Sequence, residues 1–162
     1  MIVLMGVSGS GKTEIGKRLA ADLGWSFYDA DDFHPPENIR KMAQGEPLTD
    51  QDRAPWLAAL RDLMAAIERK EGDAVLACSA LKRAYRDLLR SAGKEVTFIY
   101  LKGDFETLRS RLEARKEHYM KAGMLASQFE ALEEPHNALN VDIDGTPEDI
   151  VAVIKRAIRL KE

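Results

Sequence analysis

With one cysteine in 162 residues, Cys78 has no partner within the chain, so no internal disulfide framework is available and the fold must rest on its core. Long apolar runs are missing too. None approaches the roughly 20 residues that a bilayer-spanning helix needs. The stretch 1–5 is too short, and lacks the charged flank, for a signal peptide. Charge of one sign is scarce: 24 Lys and Arg stand against 27 Asp and Glu, for a net charge of −3. That balance offers no footing for a nucleic-acid-coating or membrane-surface protein and leaves a small-molecule partner as the expectation, while the lone cysteine and the missing span and signal peptide make the cytoplasm the expected compartment. Repeats, low-complexity tracts and Ser/Gly-rich linkers are also absent, so residues 1–162 read as a single domain.

What the chain does have is alternation. Apolar runs of strand length occur at 2–5, 26–28, 74–77, 96–101 and 138–143, and helical periodicity fills the gaps between them. The clearest helix carries Trp56, Leu57, Leu60, Leu63, Met64 and Ile67, and Gly72 closes it. A last helix opens on Thr146-Pro147-Glu148-Asp149, a cap residue, a first-position proline and acid in the first turn. Strands apolar on both faces predict a five-stranded parallel sheet between two helical layers, an α/β sandwich with ligands at the strands' carboxyl ends.

Between the first strand and the first helix lies Gly6-Val7-Ser8-Gly9-Ser10-Gly11-Lys12-Thr13, which matches G-x-x-x-x-G-K-S/T in the context that motif needs. Glycines let the backbone curl so that successive N–H groups face phosphate oxygens, and the helix start adds partial positive charge. Lys12 is then expected on the β- and γ-phosphates, and the Thr13 hydroxyl on a magnesium ion. The chain therefore reads as a P-loop NTPase that binds ATP.

Two absences narrow the class. No Asn-Lys-x-Asp motif is present to read guanine, and the third strand runs into Cys78-Ser79 rather than into an acid. Carboxylates appear instead after the second strand, at Asp29, Asp31 and Asp32. A phosphoryl acceptor needs a carboxylate to take or orient its proton, and magnesium needs hard oxygen ligands; Asp31 and Asp29 can divide those roles. Asp32 reads better as a cap for the helix that starts near Pro35-Pro36-Glu37. His34 is either a donor to a substrate oxygen or a packed loop histidine. Cys78 reads as a small buried residue at a strand end.

Taken together, the P-loop, Asp29-Ala-Asp31-Asp-Phe-His34-Pro, Asn38-Ile-Arg-Lys-Met42, Pro47-Leu-Thr-Asp50-x-Asp52-Arg53-x-Pro55-Trp56 and Cys78-Ser79-Ala80-Leu81-Lys82 strongly resemble the bacterial-type gluconokinases. The resemblance runs on through Phe98, Asp104, Ser110, Ser127-Gln-Phe129 and Glu134-Pro135, over nearly the whole chain. It implies transfer of the ATP γ-phosphoryl group to the 6-hydroxyl of D-gluconate with magnesium. The implied fold is similar to shikimate and nucleoside-monophosphate kinases with a lid, and the implied assembly is a homodimer. On the matching positions Asp31 is implied as the acceptor contact and Asp29 as a magnesium-side acid. Arg53, Lys82 and Arg86 are implied as candidates for the gluconate carboxylate. Arg53 is expected just ahead of a helix, and Lys82 and Arg86, one turn apart, on a shared helix face.

The segment 109–128 reads as the lid. Within it Arg115 is expected to meet the charge of the transferring phosphoryl group, and Arg111, at the lid's base, to cover adenine. The stretch 142–145 is the other candidate for adenine contacts. Thr13 in place of serine, Ala30 in place of glycine, and Glu117 and Tyr119 in place of Gly and Phe depart from the family pattern. A shikimate or other small hydroxy-acid kinase would use the same Asp-x-Asp pair, and an ATP-sensing module the same P-loop. The stretch 34–42 and Pro55-Trp56 favour gluconate.

Overall fold

The computed structural model describes residues 1–93, 95–114 and 124–159. Five strands, β1 (Ile2–Met5), β2 (Ser26–Asp29), β3 (Ala74–Ala77), β4 (Thr97–Lys102) and β5 (Leu139–Asp142), form one sheet in the order β2-β3-β1-β4-β5. Every pairing is parallel, with Ile2 opposite both Val75 and Thr97. The sheet therefore has the count and direction that the apolar runs predict, each strand lying within about one residue of its run.

Side-chain alternation along β1 divides the core in two. Ile2 and Leu4 face one layer with Ile15 and Leu19 of α1 (Lys12–Leu23) and Ile150, Val151 and Ile154 of α7 (Pro147–Arg159). Val3 and Met5 face the other, against Trp56, Leu57, Leu60 and Met64 of α3 (Asp50–Arg69) and Tyr85 and Leu89 of α4 (Arg83–Arg90). Each such side chain, once fully buried, contributes roughly 1.5–3 kcal/mol, so both layers are held by apolar burial. Gly16 sets how closely α1 lies on the sheet, because a Cβ there would stand 2.5 Å from a ring carbon of Phe27.

Helix starts follow local chemistry. The α7 cap is as expected: the Thr146 hydroxyl accepts from the Asp149 amide and the Asp149 carboxylate from the Thr146 amide. The third helix starts earlier than its apolar stripe suggests. Thr49 and Asp52 form a capping box, so Asp50 to Arg53 are already helical and Arg53 lies inside α3 rather than ahead of it. Asp32 is not a cap either. It sits exposed within a 3₁₀ turn, Ala30–Phe33, capped by Asp29, and α2 (Pro36–Ala43) starts after Pro35 with no side-chain cap. Helices α5 (Phe105–Ala114) and α6 (Met124–Ala131) complete the described elements. Among the described residues, no helix is long and apolar enough to cross a membrane.

Candidate functional site

The carboxyl ends of β1, β2 and β3 open onto one cavity of about 400 Å³. Its walls come from the P-loop, the Asp29–Asp31 turn, the start of α3 and one side of α6, through Ser8, Lys12, Thr13, Asp29, Asp31, His34, Arg53, Trp56, Ser79, Ser127 and Gln128 among others. The P-loop can make its tight exit from the sheet because Gly6 holds φ 150°, and a Cβ there would stand 2.9 Å from the Leu101 carbonyl oxygen. Lys12 donates to the carbonyls of Gly6 (2.9 Å) and Val7 (3.0 Å), which keeps its ammonium against the loop. Ser10 is fully buried behind the loop and, with Gly6 and Val7, does not line the cavity.

One carboxylate ties the P-loop to the second strand. Asp29 Oδ2 accepts from the Thr13 hydroxyl at 2.7 Å, and Oδ1 accepts from the Asp31 amide at 3.0 Å. Thr13 and Asp29 thus stand together as hard oxygen donors, and the turn they brace carries Asp31 to the cavity. The described residues hold no cluster of three or more His, Cys, Asp or Glu able to cage a metal. That donor set suits magnesium, which keeps most of its waters and takes only one or two protein oxygens plus phosphate.

His34 lies flat on Trp56, ring centroids 4.2 Å apart at 12°, and the Trp56 indole donates to the Ala30 carbonyl at 2.7 Å. The stack buries the imidazole to 4% exposure. Burial, helped by the nearby Arg53 charge, lowers the His34 pKa to about 4, so the ring is neutral at physiological pH. Burial likewise pushes the Cys78 thiol up to about 12, as befits an inert strand-end residue.

The three candidate cations separate. Arg53 reaches the cavity and donates to the Tyr85 hydroxyl at 3.2 Å. Lys82, just before α4, turns to Asp50 at 2.9 Å, and the Tyr85 hydroxyl donates to the same carboxylate. These bonds, Tyr85 first, lower the Asp50 pKa, and Asp50 in turn raises that of Lys82. Arg86 is buried: its guanidinium donates to the carbonyls of Ala80 (2.8 Å), Leu81 (3.0 Å) and Glu133 (2.8 Å). Neither Lys82 nor Arg86 lines the cavity, and the two side chains go to different partners, Lys82 to Asp50 and Arg86 to backbone carbonyls. Lys82 is the extended N-cap of the helix that holds Arg86, so its side chain is not fixed by the helical spacing.

Arg111 of α5 donates to the Ile143 carbonyl at 3.3 Å, so the two stretches considered for adenine, the lid base and 142–145, meet. Arg115, with Glu117 and Tyr119, lies outside the described residues. Sequence reasoning did not single out Gln128. Its side-chain oxygen accepts from the Ser8 amide at 2.7 Å and its nitrogen donates to the Ser8 hydroxyl at 3.0 Å, a buried pair of hydrogen bonds from α6 to the P-loop. A separation of 120 residues hides such a pair from any local pattern.

Comparison with known proteins adds to this geometry. The family model described as shikimate kinase matches residues 8–158. The chain is 52% identical over 154 residues to the thermoresistant gluconokinase of Escherichia coli K12, across 93% of this chain and 88% of that one. Two solved structures share its fold closely. An unliganded sugar kinase from Janibacter sp. HTCC2649 has a TM-score of 0.90 at 42% identity, over 96% of this chain and 91% of that one. A gluconokinase from Sinorhizobium meliloti 1021 has a TM-score of 0.85 at 39% identity, over 99% and 96%.

Proposed function

Because this chain belongs to the gluconokinase family, we propose that it transfers the γ-phosphoryl group of ATP to the 6-hydroxyl of D-gluconate, giving 6-phosphogluconate and ADP. The observation that carries the reading is the Thr13–Asp29–Asp31 chain of hydrogen bonds, which joins the phosphate-binding loop to the backbone amide of Asp31, the acceptor-side acid of this reading, on one cavity wall.

In this reading the amides of loop 6–13 and Lys12 hold the β- and γ-phosphates. Thr13 and Asp29 would hold magnesium, which when bound would neutralise negative charge on the phosphates. Asp31 accepts the proton of the attacking hydroxyl, the oxygen forms the new bond to phosphorus, and ADP leaves with the electrons of the broken bond. Arg53, aimed into the cavity and braced by Tyr85, is the cation for the gluconate carboxylate. Lys82 stands behind it, engaged by Asp50, and Arg86 supports the turn at 79–81 from beneath. Segment 109–128 serves as the lid, Arg115 supplies charge to the transferring group, and Arg111 lies beside adenine. The cytoplasmic compartment expected from the sequence and the dimer implied by family resemblance belong to the same proposal.

The test is coupled ADP release with ATP and magnesium across gluconate, shikimate and other sugar acids. Gluconate-dependent turnover well above the rest is the expected result. Turnover with shikimate or another acid alone would remove gluconate from the proposal, and nucleotide binding without turnover on any acid would favour an ATP-sensing module.

A further inference from the structure

The side chain of Asn38 decides which nitrogen of His34 carries its proton. Asn38 is 3% exposed, on the first turns of α2, and its Nδ2 lies 2.9 Å from the Asp52 carbonyl oxygen and 3.2 Å from His34 Nδ1. A carbonyl oxygen only accepts, so the amide nitrogen must face Asp52. The reversed amide would set two acceptor oxygens 2.9 Å apart in a buried place. One Nδ2 hydrogen goes to Asp52 and the other points at His34 Nδ1, which must then accept. The neutral ring therefore carries its hydrogen on Nε2.

That hydrogen has a definite outlook. His34 Nε2 stands 4.0 Å from Asp31 Oδ1, beyond hydrogen-bond reach but spaced for one oxygen between them. An oxygen about 2.8 Å from each closes the triangle, accepting from Nε2–H and donating to the carboxylate. A hydroxyl can do both, whereas a carboxylate or a carbonyl oxygen cannot donate.

We infer that Asn38 is a positioning residue that locks His34 as the Nε2–H tautomer, so that His34 and Asp31 together grip one hydroxyl of a polyhydroxy substrate. Held this way, the hydroxyl has its proton aimed at Asp31 and one lone pair taken by His34. The other lone pair is left for phosphorus. His34 is then a donor that orients the nucleophile, and Asp31 alone receives the proton. Among the described residues, the charged groups near the imidazole include Arg53, Asp29 and Asp31, and burial together with Arg53 keeps it uncharged. The inference deepens the proposed gluconate reaction and rests on that reading for the hydroxyl's identity, although the tautomer does not depend on it.

The experiment is long-range ¹H–¹⁵N correlation spectroscopy of ¹⁵N-histidine-labelled protein at pH 7, with His34 assigned among the three histidines by His34→Gln. An unprotonated Nδ1 and a protonated Nε2 are expected in the wild type, and loss of that preference in Asn38→Leu. A wild-type Nδ1–H tautomer or an imidazolium would overturn the inference, as would an unchanged tautomer in folded Asn38→Leu. Because the wild-type spectrum alone can refute the tautomer, a variant that fails to fold does not shelter it. In kinetics, Asn38→Leu should raise the gluconate KM about tenfold, the worth of one hydrogen bond, while the ATP KM stays within twofold. Equal changes in both constants would reduce Asn38 to a structural part and overturn its positioning role. The expected tautomer in a chain with no turnover on gluconate would instead refute the proposed function and leave the tautomer standing.

Discussion

Replacing Arg86 by lysine separates a support for the site from a ligand in it. The guanidinium holds three backbone carbonyls, those of Ala80 and Leu81 in buried bonds and that of Glu133 in a partly buried one. Two of them lie in a turn whose Ala80 has φ 45°, a left-handed conformation that a non-glycine residue holds only at a cost of about 1 kcal/mol or more. In the same turn the Ser79 carbonyl accepts from the Gly6 amide, and so the turn reaches the P-loop. A lysine ammonium has one nitrogen where arginine spreads three, so it can keep the turn or the Glu133 carbonyl but not both. Hydrogen bonds to a charged group are worth about 1.5–3 kcal/mol each. Loss of one or two, partly offset by relaxation, should lower stability by roughly 3 kcal/mol, a large share of the 5–15 kcal/mol typical of a domain. At this chain length that corresponds to a Tm lower by about 6–12 °C. Thermal and urea unfolding give the stability, and coupled ADP release gives the gluconate KM, which should stay within twofold below the transition. An unchanged Tm with a gluconate KM raised tenfold would refute the reasoning and return Arg86 to the substrate.

Other perturbations follow from the same geometry. His34 has a folded-state pKa of about 4 against 6.5 for the free side chain, so between those values the unfolded chain binds more protons. The contribution is fully present above pH 6.5 and is lost as pH falls toward 4, about 3 kcal/mol in all; urea titrations of wild type and His34→Gln should show that slope only in the former. Thr13→Ala removes the hydroxyl bonded to Asp29 and should raise the magnesium concentration for half-maximal turnover about tenfold. Gln128→Leu leaves the buried Ser8 amide and hydroxyl without these partners, so the ATP KM should rise several-fold and stability fall by about 1–3 kcal/mol, read by kinetics and by urea unfolding.

How far the sequence carries depends on the range of the interaction. Strands were legible because apolar runs such as Ala74–Ala77 are buried on both faces and little else explains them. The P-loop was legible because its glycines, its lysine and the strand before it are contiguous. The α3 start escapes the pattern because its capping box lies in an acidic stretch ahead of the apolar stripe, and periodicity only registers the stripe. Arg86 shows the limit of counting along a helix. Spacing names its neighbours on α4, but its guanidinium is claimed by a turn and by the backbone beyond α6, which only tertiary packing brings there. The same holds for Gln128 on Ser8 and for Tyr85 on Arg53. For His34 the sequence allows either a donor or a packed ring, and the structure stacks the ring on Trp56 at the cavity wall.

The most direct test of the account is gluconate-dependent ADP release by Asp31→Asn beside the wild type, with ATP and gluconate binding measured calorimetrically on both. Asparagine keeps the shape of the side chain and cannot take the hydroxyl proton, so kcat should fall by about 10²–10⁴ while both ligands still bind. A kcat within a few-fold of wild type would contradict Asp31 as the acceptor-side acid and, with it, the reading of the cavity as the place where the hydroxyl meets the γ-phosphoryl group.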